Sequence, residues 1–167
     1  RSPSRGLGDV YKRQELTVTA PGINGKMSEI NAAFGLVQLK HIDHAMQQRQ
    51  LIDTYYRTAL ADVKGITLYQ HNPDANSNYS YFPILIEADY PLSRDELYDK
   101  LKASNILSRR YFYPLISNMP MYRGLPSAQA NLLPFANQLA DKVLCLPIYH
   151  ELTSLDQEKI ISLIKRS

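Results

Sequence analysis

Gly22-Ile23-Asn24-Gly25-Lys26-Met27-Ser28-Glu29-Ile30-Asn31-Ala32-Ala33-Phe34-Gly35-Leu36-Val37-Gln38-Leu39-Lys40-His41-Ile42 is the stretch from which the rest of the chain is read. A flexible polar turn, Gly22 to Lys26, runs directly into a helical pattern. Helix N-termini attract anions, because unpaired N–H groups and the macrodipole both point toward them. Ala32, Ala33 and Gly35 are small and lie near the helix start, where they let another backbone approach. The combination describes a helix start that meets a phosphate or a second body. Apolar residues then recur at three- and four-residue steps: Ile30, Phe34, Val37, Ile42, Met46, Ile52, Tyr56 and Ala59. This spacing predicts a helix from Ser28 to about Leu60, roughly 45–50 Å long if unbroken. One small domain does not need that length, so a bend near His41 to His44 is expected, with the helix linking two bodies. Lys64-Gly65 supplies the stop.

Downstream, Ile66 to Gln70 reads as a short strand and His71 to Ser77 as a polar loop. Tyr79 to Ile86 is rich in aromatic and β-branched residues and reads as a second strand, with Pro83 placing it at a sheet edge or a bulge. Ser93 and Glu96 form a capping box that opens a helix to about Ser104, with Leu97 and Leu101 inward. Ile106 to Phe112 can return as a strand, and Pro114 to Pro126 is a Pro-rich loop. Ser127 to Leu139 is helical, with a break or kink expected at Pro134. Val143 to Leu146 reads as a short buried strand. Thr153 to Asp156 starts a last helix, with Ile160, Ile161, Leu163 and Ile164 inward. This order predicts an α+β fold, a long helix followed by a small, mostly antiparallel sheet with helices on one face. The expected division is 1–14, 15–62 (turn and long helix) and 63–167 (α+β domain). Residues 1–14 carry four basic residues and no apolar periodicity, and read as a leader foreign to the rest of the chain.

A length of 167 residues with 44% hydrophobic and 21% charged side chains is enough for one domain with its own core. Net charge is +3 with both signs interspersed, so no nucleic-acid stripe is seen. No apolar run approaches the roughly 20 residues that span a bilayer, and no signal-peptide pattern occurs, so no membrane association and a cytoplasmic location are expected. Cys145 is the single cysteine and sits in an apolar run, Val143 to Pro147, which reads as a small buried hydrophobe rather than a nucleophile. The four histidines, 41, 44, 71 and 150, show no metal-ligand spacing, and no metal site is expected.

Two clusters carry the candidate chemistry. Asn24 and Lys26, with backbone amides ahead of a helix, can hold a phosphate, although an Asn-Gly turn also serves as a plain cap. Arg109, Arg110, Tyr111 and Tyr113 combine guanidinium forks with flat rings. The residues alone leave open a strand end with solvated charges or an anion and sugar-nucleotide surface. Tyr79 and Tyr81 alternate with Ser80 and Phe82 on a strand with one face in the core, so at least one Tyr is expected to be structural.

Three stretches resemble, in order, the DegT/DnrJ/EryC1/StrS family of nucleotide-sugar aminotransferases. They are Gly22, Asn24, Lys26, Met27, Glu29, Ala32, Ala33 and Gln38-Leu39; Arg109 to Leu115; and Val143 to Tyr149 before the final helix. The resemblance implies the C-terminal small domain of a fold-type I aminotransferase dependent on pyridoxal 5'-phosphate. It implies that Asn24, with Lys26, reaches the cofactor phosphate of a neighbouring subunit in a homodimer. Lys26 stands where many relatives have Arg, and Lys cannot make Arg's two-pronged contact. Arg109, Arg110, Tyr111 and Tyr113, with Tyr81, are implied to line the nucleotide-sugar site. Many relatives have His two residues after the Pro of this motif, whereas this chain has Ile116, so a sugar contact by that His does not carry over. The implied activity is transfer of an amino group, with glutamate the expected donor, to a keto-deoxysugar nucleotide for surface polysaccharide or O-antigen synthesis. The lysine that bonds the cofactor covalently falls upstream in this family, so the chain is expected to be a C-terminal fragment, inert by itself. A sugar dehydratase dependent on pyridoxamine phosphate and a non-catalytic α+β dimerisation module are the alternatives.

Overall fold

The computed structural model describes residues 25–72 and 74–166. Two compact units divide between Gln38 and Leu39. The first contains all but the last residue of helix α1 (Glu29–Leu39), whose N-terminus is capped by the Ser28 hydroxyl accepting from the Asn31 amide at 3.3 Å. No residue of α1 is buried: Ile30 is 82% and Phe34 65% exposed, although their spacing marks them as inward.

The expected long helix is interrupted at Lys40-His41, and helix α2 (Ile42–Leu60) follows. No Pro or Gly forces this break, and His41 offers no side-chain cap. The anticipated bend is therefore a full interruption. Helix α2 belongs to the second unit and supplies Ile52, Tyr56 and Leu60 to its core.

Three antiparallel strands follow in the order β1 (Ile66–Leu68), β2 (Phe82–Ile86), β3 (Val143–Leu146). Phe82, Ile84 and Ile86 of β2 and Leu144 and Leu146 of β3 face one side. There they meet α2, helix α3 (Arg94–Ala103) through Leu97 and Leu101, and helix α5 (Ser154–Lys165) through Ile160, Ile161 and Ile164. The Tyr56 hydroxyl donates to the Pro147 carbonyl at 3.1 Å, and the Tyr90 hydroxyl donates to the Ile164 carbonyl at 2.7 Å. Burial pushes the Tyr56 hydroxyl well above the ordinary phenol range.

Pro83 corrects the sequence reading: β2 is the central strand, not an edge, and carries no bulge in its register. The backbone explains why this is tolerated. The Glu87 amide donates to the Gly65 carbonyl, so odd-numbered positions of β2 turn their polar groups toward β1. Position 83 therefore faces Tyr69, just past the end of β1. The Tyr69 carbonyl accepts from Arg57 Nη1 at 2.7 Å instead, so the missing proline N–H leaves no acceptor stranded. Arg57 is itself held by Asp53, with Nε donating to Oδ2 at 2.7 Å, and Asp53 is buried.

Ile106 to Phe112 does not return as a strand. Only Arg109 pairs, exchanging backbone bonds of 2.9 and 2.8 Å with Cys145. Asn105 and Phe112 have φ of 60° and 50°, which ends extended geometry on both sides. The helix expected from Ser127 begins instead at Pro134 as α4 (Pro134–Lys142), after 3₁₀ turns at Pro126–Ala128 and Ala130–Leu132. Proline at the first helical position costs no hydrogen bond, so Pro134 starts a helix rather than kinking one.

The capping box of α3 is present, with the Glu96 amide donating to Ser93 Oγ at 3.3 Å and the Ser93 amide donating to Glu96 Oε2 at 2.7 Å. The backbone bond first, and the Ser93 hydroxyl second, hold the Glu96 carboxyl below its usual range. Its contribution is present at neutral pH and is lost as acid protonates it. Ser93→Ala is expected to cost about 1 kcal/mol in urea denaturation, with an unchanged m-value.

Candidate functional site

The Arg109–Leu115 segment leaves β3's outer edge and turns back. Its start is fixed by the paired backbone of Arg109 and Cys145. Tyr111 then stands edge-on to Tyr81, ring centroids 5.0 Å apart, with Phe112 4.3 Å beyond. Tyr111 and Phe112 help to line an apolar cavity of about 550 Å³ on the sheet face opposite the core, with Pro83, Leu85, Val143 and α4 residues Ala136, Leu139 and Ala140. So α4 covers the second face, while α2, α3 and α5 share the first.

The two arginines separate. Arg110 is bound to α3: its guanidinium lies 4.8 Å from the Tyr98 ring centroid and 5.2 Å from that of Tyr113, with Nη1 donating to Asp95 Oδ1 at 3.2 Å. Tyr113 is stacked against Arg94 at 4.6 Å. Arg109 is exposed, and its guanidinium makes no ion pair or hydrogen bond among the described residues. The structure therefore gathers Tyr81 and Tyr111 in one place, leaves the Arg109 charge available, and turns Arg110 and Tyr113 toward α3.

Asn24 lies outside the described residues. Lys26, in the first unit, is exposed and makes no ion pair among the described residues. The Ser28 hydroxyl supplies the side-chain cap of α1. Cys145 is buried, and burial pushes its thiol up to about 11, partly opposed by the nearby Arg109 charge, so it is a poor nucleophile at neutral pH. Among the described residues no group of three or more His, Cys, Asp or Glu side chains converges as a metal site would require. No described helix is long and apolar enough to cross a membrane.

Sequence reasoning misses Arg94, Asp95 and Tyr98 as partners of the 109–115 segment. The helix start by itself accounts for Asp95. The available signal is the placement of Arg94, Asp95 and Tyr98 within one and a half turns of a helix, in a chain that also carries an Arg-Arg-Tyr-Phe-Tyr run.

Residues 4–165 match the DegT/DnrJ/EryC1/StrS aminotransferase family. The chain belongs to this family. The match begins inside the segment read from composition as a foreign leader. The chain is 63% identical over 151 residues to a dTDP-4-amino-4,6-dideoxy-D-glucose transaminase of Escherichia coli, covering 90% of this chain and 40% of that protein. It is 47% identical over 151 residues to a transaminase of the same description from Shigella dysenteriae, covering 90% of this chain and 41% of that protein. Its fold superposes on the crystal structure of DesI in the presence of its TDP-sugar product, with a TM-score of 0.78 and 32% identity, over 87% of this chain and 36% of DesI. The chain thus spans about two-fifths of the length of the curated aminotransferases it matches. The α+β architecture read from the sequence is that of these aminotransferases.

Proposed function

We propose that this chain is the C-terminal part of an aminotransferase that uses pyridoxal 5'-phosphate. The whole enzyme would move an amino group from glutamate to the 4-keto counterpart of dTDP-4-amino-4,6-dideoxy-D-glucose. The observation that carries this reading is the 63% identity to the Escherichia coli transaminase, sustained across nine-tenths of the chain. The product is a precursor of the kind used in surface polysaccharide or O-antigen synthesis, a role that suits an enzyme of the cytoplasm. A homodimer fits the exposed apolar residues of α1, which need cover in a stable protein.

Pyridoxal phosphate, when bound, supplies an electron sink for the carbon that carries the nitrogen. The residues of this chain do the holding. Lys26, exposed ahead of the helix start, presents a cation suited to the cofactor phosphate, and Asn24 in the same turn adds an amide donor. Arg109 presents the guanidinium fork that suits the diphosphate of the substrate. Tyr81 and Tyr111, edge to face, offer flat walls for a base or sugar and shield it from water.

The test compares the intact aminotransferase with the 167-residue chain, using glutamate, pyridoxal phosphate and the dTDP-linked 4-keto sugar. The intact enzyme is expected to yield the 4-amino sugar by mass spectrometry. The isolated chain is expected to yield none and to give no new absorption band with pyridoxal phosphate. Amination by the isolated chain would overturn the placement of the active site. Loss of water from the sugar without nitrogen gain by the intact enzyme would replace the transaminase with a dehydratase.

A further inference from the structure

We propose that Arg94 is a positioning residue for the Tyr81–Tyr111 surface: stacked on Tyr113 and bonded to the end of α4, it holds the 109–115 turn in the conformation that rests Tyr111 on Tyr81. This rests on the reading of those two rings as a substrate wall.

Arg94 opens α3 in a run of polar residues, where an arginine side chain normally reaches water. It is instead only 4% exposed. A buried guanidinium is costly unless its charge and N–H groups find partners. Here Nη1 donates to the Ala140 carbonyl at 2.9 Å, near the end of α4. Nε lies 2.8 Å from Asp95 Oδ1, a close ion pair poorly aligned for a hydrogen bond. The guanidinium face covers Tyr113, 4.6 Å from the ring centroid. Arg110 approaches the same ring at 5.2 Å and the same Asp95 oxygen at 3.2 Å. Two guanidinium groups, one carboxylate and one ring therefore form a single clamp between α3 and the turn.

The turn needs such a clamp. Phe112 has a φ of 50°, a conformation that bulky residues adopt only when their surroundings impose it. One end is imposed by the backbone pairing of Arg109 with Cys145, and the other by the clamp on Tyr113. Tyr111 stands between the two anchors, and among the described residues its ring meets those of Tyr81 and Phe112. Its placement is thus set from both ends of the turn.

The test uses Arg94→Lys, Arg94→Met, Tyr113→Phe and Tyr113→Leu. Tyr113 is half-exposed, so its variants keep the question answerable if Arg94→Met fails to fold. The binding readout is calorimetric titration of dTDP into the intact aminotransferase. The local readout is amide hydrogen exchange in the same intact enzyme. Tyr113→Leu is expected to weaken dTDP binding about fivefold to twentyfold and to speed exchange at the Arg109 amide, which donates to the Cys145 carbonyl at 2.9 Å, leaving α5 and β2 protected. Tyr113→Phe keeps the ring face and is expected to recover most of the affinity, with Arg94→Lys intermediate. Equal losses in the Phe and Leu variants would overturn the proposal, because the hydroxyl rather than the stack would matter. Unchanged exchange at the Arg109 amide, or loss of protection throughout the core, would also overturn it. Faster local exchange with unchanged dTDP affinity would keep the clamp but remove the substrate-wall reading beneath it. A wild-type enzyme blind to dTDP would remove that reading alone.

Discussion

Gly65→Ala is expected to lower stability by about 3 kcal/mol, and the midpoint of thermal unfolding by roughly 10 °C. Gly65 has a φ of +77°, in the left-handed region where an L side chain crowds its own backbone. An added Cβ would also overlap the backbone N and Cα of Tyr90 and lie only 2.6 Å from its Cβ. Backbone cannot rotate away as a flexible side chain would. The turn at Gly65 also matters to the sheet, because its carbonyl accepts the Glu87 amide at 2.8 Å and sets the register of β1 against β2. Tyr90 closes the far side by donating its hydroxyl to the last turn of α5. Displacing Tyr90 therefore disturbs the helix layer as well as the sheet. Urea denaturation followed by circular dichroism measures the loss; the chain has no tryptophan, so tryptophan fluorescence offers no probe. Gly124→Ala is the control, since an added Cβ there meets nothing within 4 Å, and it should shift stability by less than about 0.5 kcal/mol. Similar losses at the two glycines would show that the Gly65 geometry has been misjudged.

Arg109→Ala in the intact aminotransferase is expected to weaken binding of the dTDP-sugar by about 10- to 100-fold, the worth of one charge-assisted contact to phosphate. Arg110→Ala is expected to cost less. Its charge is already engaged by Asp95 and by the rings of Tyr98 and Tyr113, and only the stiffness of the turn is lost. Arg109→Lys should recover part of the affinity, because a cation remains but the planar fork does not. The KM for the sugar nucleotide, set beside the KM for glutamate, checks the assignment. A larger penalty at Arg110 than at Arg109 would mean that the exposed guanidinium is a solvated charge and that the clamped one moves to meet substrate.

The adjacency of Arg109 and Arg110 shows how far sequence reading reaches. The motif puts both on the substrate side because nothing local tells two neighbouring arginines apart. Their separation comes from the backbone pairing of Arg109 with Cys145 and from α3, which presents Asp95 and Tyr98 to Arg110 and not to Arg109. Arg94 is illegible for the same reason: its partners Tyr113 and Ala140 are distant in sequence, and its own neighbourhood reads as a solvated helix start. Tyr81 and Tyr111 are both legible as candidates, but their contact is not.

Several features were settled by the chain's own local chemistry. The Ser93–Glu96 box, the inward Leu97 and Leu101, the apolar strand at Val143–Leu146 and the Ile160, Ile161 and Ile164 face follow from spacing within a few residues, and each formed as its pattern required. The three family motifs are equally local, and the family assignment agrees with them. Tertiary structure alone decided that the proline-bearing strand is central and which arginine is left available. These outcomes depend on whether a group finds its partner across the fold, as the Tyr69 carbonyl finds Arg57 in place of an amide at position 83. Periodicity reports which face of an element is apolar, but the partner that satisfies a buried polar group exists only once the elements have packed.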